Sequence, residues 1–380
     1  MHEAFAFLME SIYGDRCEGV HPDAARSTHF RYDGGVPLMQ LILFGFAINS
    51  DPKYLPTAVL SADDSVFSRS LVQALQNSEY FNVVKQVRSE AEAEQLLTEG
   101  DVQFVLNIPA NFSRKLQRGE RPVVLLEADA TDPAATGNAI AAVNQLVQTA
   151  LTRDLQGSLQ FLQNAPAPFE FRIHRRYNPE GITQYNIVPG LMGVILTMTM
   201  IMMTGLAVTR ERERGTMENL LATPVRPFEV MVGKIVPYIL VGYIQVTLIL
   251  LASRLIFNVP MLGSLFLLYG VVLIFIAANL SVGVTFSTIA KNQMQAMQMT
   301  FFFFLPSLLL SGFMFPFRGM PQWAQNIGSA LPLTHFLRMV RGILLKGNGF
   351  VETLPHLVPL FLFLVVVVAL GLRLYRKTLD

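Results

Sequence analysis

The chain has 380 residues, and its 29 basic and 28 acidic side chains leave a formal net charge of only +1. Hydrophobic residues make up 52% and charged residues 15%, against about 25% charged in soluble domains, so disorder and nucleic-acid binding through bulk charge are both excluded. A mean hydropathy of +0.41 predicts a membrane protein, and the single cysteine, Cys17, permits neither an intrachain disulfide nor a cysteine metal site.

The first 49 residues lack a clear membrane span. Residues 1–35 carry six acidic residues, three arginines and three of the six histidines, a composition that resembles neither a span nor a signal peptide. The apolar run over residues 36–49 would reach only about 21 Å as a helix, short of the ~30 Å hydrocarbon core. We therefore expect residues 1–35 to be an atypical N-terminal segment that packs poorly, and residues 36–49 to be a short first span.

Residues 50–186 alternate strand-like and helix-like segments, which predicts a small α/β domain. Strands are predicted at residues 57–60, 82–87, 102–108, 122–127 and 169–174. Helices are predicted at residues 66–78, 90–99, 109–119 and 134–163. Carboxylates between a strand and a helix either cap turns and helices, which is the simpler interpretation, or bind a cation or another ligand. The residues in such positions are Asp63, Asp64, Asp129 and Asp132.

Long apolar runs dominate the chain after residue 186. Four of them contain at most one charged residue, at 187–208, 235–257, 262–290 and 294–317, and a shorter run covers 357–372. Because about 20 apolar residues cross the hydrocarbon core as a helix, residues 187–380 are predicted to form a transmembrane domain with five spans. The predicted fold class is an α-helical polytopic membrane protein of about six spans, the first incomplete, with an inserted extracytoplasmic α/β domain.

The charged loops predict the orientation of these spans. The connector over residues 209–234 carries four arginines and Lys234, and the C-terminal tail is also basic. Short loops rich in Lys and Arg stay in the cytoplasm, and the four spans between these segments allow both to do so, which places residues 50–186 outside. The outer segment 318–356 is basic too, which opposes this rule. Its Pro, Gly and Trp residues predict short interfacial or re-entrant helices.

The sequence contains none of the common catalytic or phosphate-binding motifs. GxxxxGKS/T, HExxH and GxSxG are absent, and the six histidines show no metal-ligand spacing. We therefore expect no enzyme activity, no cofactor and no metal in this chain.

Uncharged polar residues and glycines interrupt the predicted spans. The span interiors contain no carboxylate, which argues against an ion-coupled carrier. The polar residues either hold helices together, the simpler interpretation, or line a translocation path. The path candidates are Gln245, Asn279, Gln295, Gln298 and Ser307. The glycines interpreted as sites of close helix packing are Gly205, Gly242, Gly270 and Gly283.

The connector after the first long span has the most specific sequence. Arg and Glu alternate from Arg210 to Arg214, Gly215 then breaks the pattern, and Thr216 is placed to cap a short helix over residues 217–222. Pro224 ends that helix. Charge and position leave two interpretations open: a helix that inserts into a groove on a partner, or a solvated connector between spans.

Three motifs resemble those of type-2 ATP-binding-cassette (ABC) exporter permeases. The stretch ERERGTMENLLATPVRPFEVMVGKIVPY resembles their cytoplasmic coupling loop, and PLMQLILFGFAINSDPKYLPTAVLSADDS the end of their first span. LSGFMFPFRGMPQWAQNIGSALPLTHFLRMVRGILLKG resembles their penultimate span and the outer-leaflet helices after it. The similarity covers residues 36–380 and is closest to the bacterial inner-membrane subgroup with a large periplasmic domain. Residues 1–35 lack the basic amphipathic helix of that subgroup. An altered reading frame, a wrong start or an unusual variant would explain the abrupt change of sequence near Gly35–Val36.

The resemblance implies a multi-pass permease subunit of the bacterial inner membrane that exports hydrophobic or amphipathic compounds, drugs included, by alternating access. It implies a second permease copy in a homodimer or close heterodimer, a cytoplasmic ATPase subunit that holds ATP and Mg²⁺, and a periplasmic adaptor protein. The residues to which it assigns coupling with the ATPase are Glu211, Glu213, Arg214, Gly215, Thr216, Glu218 and Pro224. The competing hypothesis is an ATP-independent membrane protein, either an anchor for the outer domain or an ion-coupled carrier.

Overall fold

The computed structural model describes residues 51–162, 167–214 and 227–377, together with Gly45. Apart from Gly45, all of these belong to one compact unit, Ala47–Asp380. The expectations for residues 1–35, for the short span at 36–49 and for the connector helix at 217–222 therefore fall outside the described residues.

A five-stranded mixed sheet forms the core of the α/β region. Its strands are β1 Leu55–Ser61, β2 Phe81–Gln86, β3 Phe104–Ile108, β4 Val123–Asp129 and β5 Glu170–Arg176. The strands lie in the order β2-β1-β3-β4-β5, with β3 and β4 antiparallel and the other neighbours parallel. Between strands lie the helices α1 Val66–Asn77, α2 Glu90–Glu99, α3 Phe112–Gln117 and α4 Pro133–Thr149. The predicted alternation of strands and helices is confirmed.

Strand burial follows directly from the sequence. The central strands β1 and β3 are mostly apolar and largely buried, because helices pack against both faces of the sheet. Aromatic side chains fill the space between elements: the rings of Phe81 and Phe104 meet edge to face with centroids 5.0 Å apart. Helix α2 has the predicted bounds and ends at Gly100, whose φ of +83° a side chain would disfavour.

The prediction of one helix over residues 134–163 is wrong. Helix α4 ends at Thr149, and a short 3-10 helix, Gly157–Leu162, follows after a turn. The apolar spacing that predicted a longer helix does continue to Leu151, but Leu151 and Leu155 are buried in the sheet's core from the turn itself. Burial by a turn and burial by a helix give the same pattern over these few residues.

Asp63 joins the loop after β1 to two helices. One carboxylate oxygen accepts a hydrogen bond from the backbone N–H of Ser65 at 2.9 Å, and the other accepts from the backbone N–H and hydroxyl of Ser113 at 3.0 and 2.9 Å. Burial alone would raise the pKa of Asp63, but these hydrogen bonds lower it to about 2. The capping interpretation is confirmed for Asp63.

We expect the substitution D63N to destabilise the chain by about 1–2 kcal/mol at pH 7, because it weakens three hydrogen bonds to a charged acceptor. The folded-state pKa lies below the unfolded value of 3.8, so this stabilisation is complete above about pH 5 and disappears as the pH falls toward 2. Thermal unfolding of the full chain in detergent at several pH values measures it. The control D64N changes an exposed neighbour. An equal loss in both variants, or a D63N deficit that persists at pH 2, would contradict the prediction.

Among the described residues, seven helices follow the α/β region. They are α5 Thr183–Glu213, α6 Pro227–Leu255, α7 Leu265–Ile289, α8 Gln293–Leu310, α9 Gln322–Ser329, α10 Pro332–Arg341 and α11 Phe350–Lys377. Within the described ranges, four stretches are long and apolar enough to cross a membrane: Thr183–Glu211, Ile235–Leu255, Leu265–Ile289 and Phe350–Leu374. In α5 and α7, 56% of each helix's apolar stretch is buried inside the protein, against 17% in α6 and in α11. Helices α6 and α11 therefore leave broad apolar faces exposed.

Two predicted spans have wrong bounds. The run at 294–317 forms a helix only as far as Leu310, because Gly312 takes a left-handed conformation with φ +84° and a side chain there would meet Phe317. The run at 357–372 lies inside a longer helix that already starts at Phe350. Between them the predicted short helices are confirmed: α9, α10, a 3-10 turn at Phe317–Gly319 and a π turn at Gly342–Lys346.

Candidate functional site

Glu213 ties the end of α5 to the start of α8. The backbone N–H of Gln293 donates to one carboxylate oxygen of Glu213 at 2.8 Å, and the side-chain amide of Gln293 donates to the other. Gln293 is the first residue of α8, so the carboxylate lies where a helix presents free N–H groups and the positive end of its dipole. These hydrogen bonds keep the pKa of Glu213 below its usual range, so the side chain is negatively charged at neutral pH.

The other predicted coupling residues divide into two groups. Glu211 and Arg214 lie beside Glu213 on the last turn of α5, Glu211 half-buried and Arg214 exposed. The remaining four fall outside the described residues: Gly215, Thr216, Glu218 and Pro224. In the described part of the connector, Glu213 links α5 to α8.

The five path candidates lie on three helices, α6, α7 and α8. Gln245 accepts a hydrogen bond from Thr199 at 3.0 Å and so links α6 to α5. Asn279 and Ser307 are fully buried, and each donates to a carbonyl four residues earlier in its own helix. Gln295 accepts from the Lys291 N–H at 2.8 Å in the cap of α8, and Gln298 is exposed in the next turn. Their role in transport stays a prediction.

A second polar site, the junction, joins the α/β region to the segment after α8. Its centre is an ion pair of 2.6 Å between Lys346 Nζ and Asp129 Oδ2, whose side chains are only 8% and 10% exposed. Lys346 also donates to the carbonyl of Leu97 at 2.9 Å, and Asp129 accepts from the hydroxyl of Thr131 at 2.7 Å. Asn348 adds a bond to the carbonyl of Thr98 at 3.3 Å. Hydrogen bonds to both ions offset part of the cost of burying the pair.

Other charged residues surround this ion pair. Asp132 accepts hydrogen bonds from the N–H groups of residues 134 and 135 as the N-cap of α4, so the capping interpretation is confirmed for it as well. Burial raises the pKa of Asp132, and the nearby charge of Arg341 opposes that shift. Arg318 donates to the carbonyl of Gly100 at 3.2 Å.

The sequence did not predict the junction, although it identified two of the junction's carboxylates as possible ligand-binding residues. Asp129 and Asp132 were flagged, but 217 residues separate Asp129 from Lys346, and no local spacing relates them. One signal was available: the segment 318–356 is more basic than an outer loop should be. Its Lys346 and Arg318 bind the α/β region, which accounts for part of that excess charge.

The apolar helices together with the α/β sheet define a membrane protein with a folded domain built into it. A family model for ABC-2 family transporter proteins matches residues 35–373, so the chain belongs to that family. The expected kinship with type-2 ABC permeases is confirmed.

Curated relatives cover nearly the whole chain. The "Probable multidrug ABC transporter permease YbhR" of Escherichia coli is 29% identical over 342 residues, 90% of this chain and 91% of the relative. The "Inner membrane transport permease YhhJ" of Escherichia coli is 29% identical over 367 residues, 91% of this chain and 94% of the relative. A solved domain of a putative ABC type-2 transporter from Thermotoga maritima covers 32% of this chain and 84% of that chain, with 20% identity and a TM-score of 0.27.

Proposed function

We propose that this chain is the permease subunit of an ATP-driven exporter that moves hydrophobic or amphipathic compounds, drugs among them, across the bacterial inner membrane. The observation that carries the proposal is the family match over residues 35–373 in a chain whose described residues include four helices long and apolar enough to cross a membrane. Relatives named as multidrug and inner-membrane transport permeases support the substrate class and the location. The sequence lacks GxxxxGKS/T, so ATP and Mg²⁺ are bound by a separate ATPase subunit.

In this proposal the chain crosses the membrane six times, with residues 50–186 in the periplasm, residues 187–380 as the main transmembrane domain and the connector 209–234 in the cytoplasm. Two copies form the transport path between them, as a homodimer or close heterodimer, and a periplasmic adaptor protein joins outside. The exposed apolar faces of α6 and α11 offer surface for lipid and for the second copy; Leu240 and Leu362 there are 65% and 60% exposed.

Coupling runs through the connector. ATP-driven closure of the ATPase subunits displaces the helix predicted from the sequence at 217–222, and α5, which precedes it in the chain, moves with it. The hydrogen bonds between Glu213 and Gln293 pass this motion to α8, so two helices shift together from an inward-open to an outward-open state. In this mechanism the ATPase subunit binds the charged connector, and the hydrogen bonds at the start of α8 transmit the movement to the other helices.

Reversing the connector's charges tests the proposal. In the proposal, the carboxylates of Glu213 and Glu218 face basic groups in a groove of the ATPase subunit. We expect E213K combined with E218K to reduce recovery of the co-expressed ATPase subunit on the tagged chain by roughly tenfold, because the two new lysines would repel those basic groups. The measurement is the ratio of ATPase to permease after purification, together with efflux of a fluorescent amphipathic dye. Unchanged association and unchanged efflux would remove the coupling role.

Two control variants separate contact with the ATPase from transmission within the chain. E180K reverses an exposed carboxylate in the α/β region, on the side of the membrane away from the ATPase, and should leave association unchanged. Q293A removes the side-chain amide that donates to Glu213 but keeps the backbone N–H donor and every connector charge. The link between α5 and α8 is weakened while the charges that face the ATPase stay, so we expect normal association with reduced efflux.

A further inference from the structure

A cavity of about 220 Å³ lies in the junction, between the α/β region and the segment that follows α8. All of its basic side chains come from that segment: Arg318, Arg338, Arg341 and Lys346. Its acidic side chains are Glu99, Asp101, Asp129, Asp132 and Glu352. The formal charges nearly balance, so what the cavity binds depends on which of these groups already have partners.

The carboxylates are engaged. Asp129 pairs with Lys346, and Asp132 caps α4. Glu352 accepts a hydrogen bond from the backbone N–H of Gly349 at 2.9 Å. Glu99 accepts one from the side-chain amide of Gln95 at 2.7 Å. Asp101 lies within electrostatic range of Arg318. Each acidic group therefore has a donor or a cation close to it, which leaves little capacity to attract a cationic ligand.

Arg341 lies within electrostatic range of Asp132 and Asp129, but in the part of the chain that the structure describes most of its hydrogen-bond donors are unused. Within the described residues, Nε and Nη2 of Arg341 are buried without a hydrogen-bond partner, and Nη1 makes one long bond of 3.4 Å to the Gly312 carbonyl. Arg338 lies over the ring of Phe317 at 4.6 Å, and the positive charges of Arg318 and Arg341 lower its pKa further than burial does alone. Buried donors without acceptors cost free energy, as do like charges held together, and a bound oxyanion would relieve both.

We propose that Arg318, Arg338 and Arg341 bind a phosphate group at this cavity, carried by a phospholipid headgroup or by a soluble phosphate compound. Guanidinium groups match phosphate oxygens in pairs, and the cavity is large enough for a phosphate with a small polar substituent. The side-chain oxygens Gln103 Oε1 and Asn348 Oδ1 are also buried without a partner, and hydroxyl groups on that substituent would donate to them.

The neighbouring helix α9 favours the lipid source. Trp323 and Ile327 on α9 are 38% and 47% exposed, and tryptophan is enriched where a membrane protein meets the headgroup layer. Arg318 and Arg338 line the cavity and are exposed, so a headgroup phosphate could reach them from outside the protein. The site does not depend on ATP-driven export, and its test needs no ATPase subunit.

Thermal unfolding of the full chain, purified in a neutral detergent without phosphate, tests the site. The probes are dioctanoyl phosphatidylglycerol, inorganic phosphate and dioctanoylglycerol, all at one ionic strength so that general screening is constant. We expect a saturable rise in the unfolding midpoint with the phospholipid, because a ligand that binds only the folded state stabilises it. A rise with inorganic phosphate as well would assign a soluble phosphate, and a rise with the phospholipid alone would assign a headgroup.

Arginine variants show whether the rise comes from this cavity. R338Q changes an exposed residue, and we expect it to need about tenfold more phospholipid for the same rise, as the loss of one charge-assisted contact predicts. R318Q provides a second variant in the cavity lining. R254Q, an exposed arginine at the end of α6, is the matched control and should behave as the parent chain. The proposal is overturned if neither phosphate compound raises the midpoint, if dioctanoylglycerol works equally well, or if R338Q and R254Q respond alike.

Discussion

The substitution K346M is expected to destabilise the chain by about 3 kcal/mol or more. It removes one ion of a pair whose side chains are 8% and 10% exposed and leaves the Asp129 carboxylate buried without its cation. An uncompensated buried charge costs far more than the loss of a surface salt bridge, which is worth at most about 1 kcal/mol. The hydrogen bond from Lys346 to the Leu97 carbonyl is lost as well, so the α/β region is held less firmly to the segment after α8.

Chemical and thermal unfolding of the full chain in detergent measures this effect. K115M is the matched control, since Lys115 is an exposed lysine on α3 and its loss should change stability by no more than about 0.5 kcal/mol. D129N creates the converse defect, because it leaves Lys346 as the buried ion without a counter-ion. The double variant K346M/D129L should recover much of the loss, because two apolar groups often replace a buried pair at little cost. If K346M unfolds like K115M, the junction contributes no stability.

Local sequence signals predicted the elements whose ends are set locally. Helix α2 is bounded by the Ser89 cap and by Gly100, and both residues act through their own backbone surroundings. The end of α8 was missed because an uncharged run does not reveal the left-handed turn at Gly312. The junction could not be predicted, since 217 residues separate Asp129 from Lys346 and four long helices lie between them in the chain. Asp129 was visible as a polar residue at a strand end, but nothing in the sequence shows which cation reaches it.

The polar residues of the helices show the same limit. Asn279 and Gln295 look alike in the sequence as amides in apolar surroundings, yet Asn279 is fully buried in α7 and Gln295 accepts a hydrogen bond in the cap of α8. Periodicity predicts that a helix forms but not which neighbour covers each face, because the neighbour comes from elsewhere in the chain. Glycines in the spans are equally ambiguous. Of the four interpreted as packing sites, Gly283 and Gly242 face close neighbours, whereas Gly270 has no atom within 4 Å of where a side chain would begin.

Gly283 and Gly270 lie on the same helix, α7, and therefore form a matched pair for the last prediction. A methyl group at Gly283 would lie 2.6 Å from the carbonyl oxygen of Ile201 and would also collide with the hydroxyl of Thr204. A backbone carbonyl cannot turn away as a side-chain tip can, so α5 and α7 would have to separate. That separation would also strain the 3.3 Å bond from the Thr204 hydroxyl to the Leu280 carbonyl.

We expect G283A to destabilise the chain by about 1–3 kcal/mol, the usual cost of overpacking, and G283V to cost more. G270A should have no effect or raise stability slightly, because alanine favours a helix over glycine by up to about 1 kcal/mol. The unfolding midpoint and the monodisperse fraction after size-exclusion chromatography in detergent measure both variants. The expected changes in stability differ between the two variants, so the pair separates two explanations. A general intolerance of α7 to substitution would destabilise both variants, whereas close contact between α5 and α7 destabilises only G283A. Equal stability of G283A and G270A would show that these two helices do not approach each other as closely as the structure places them.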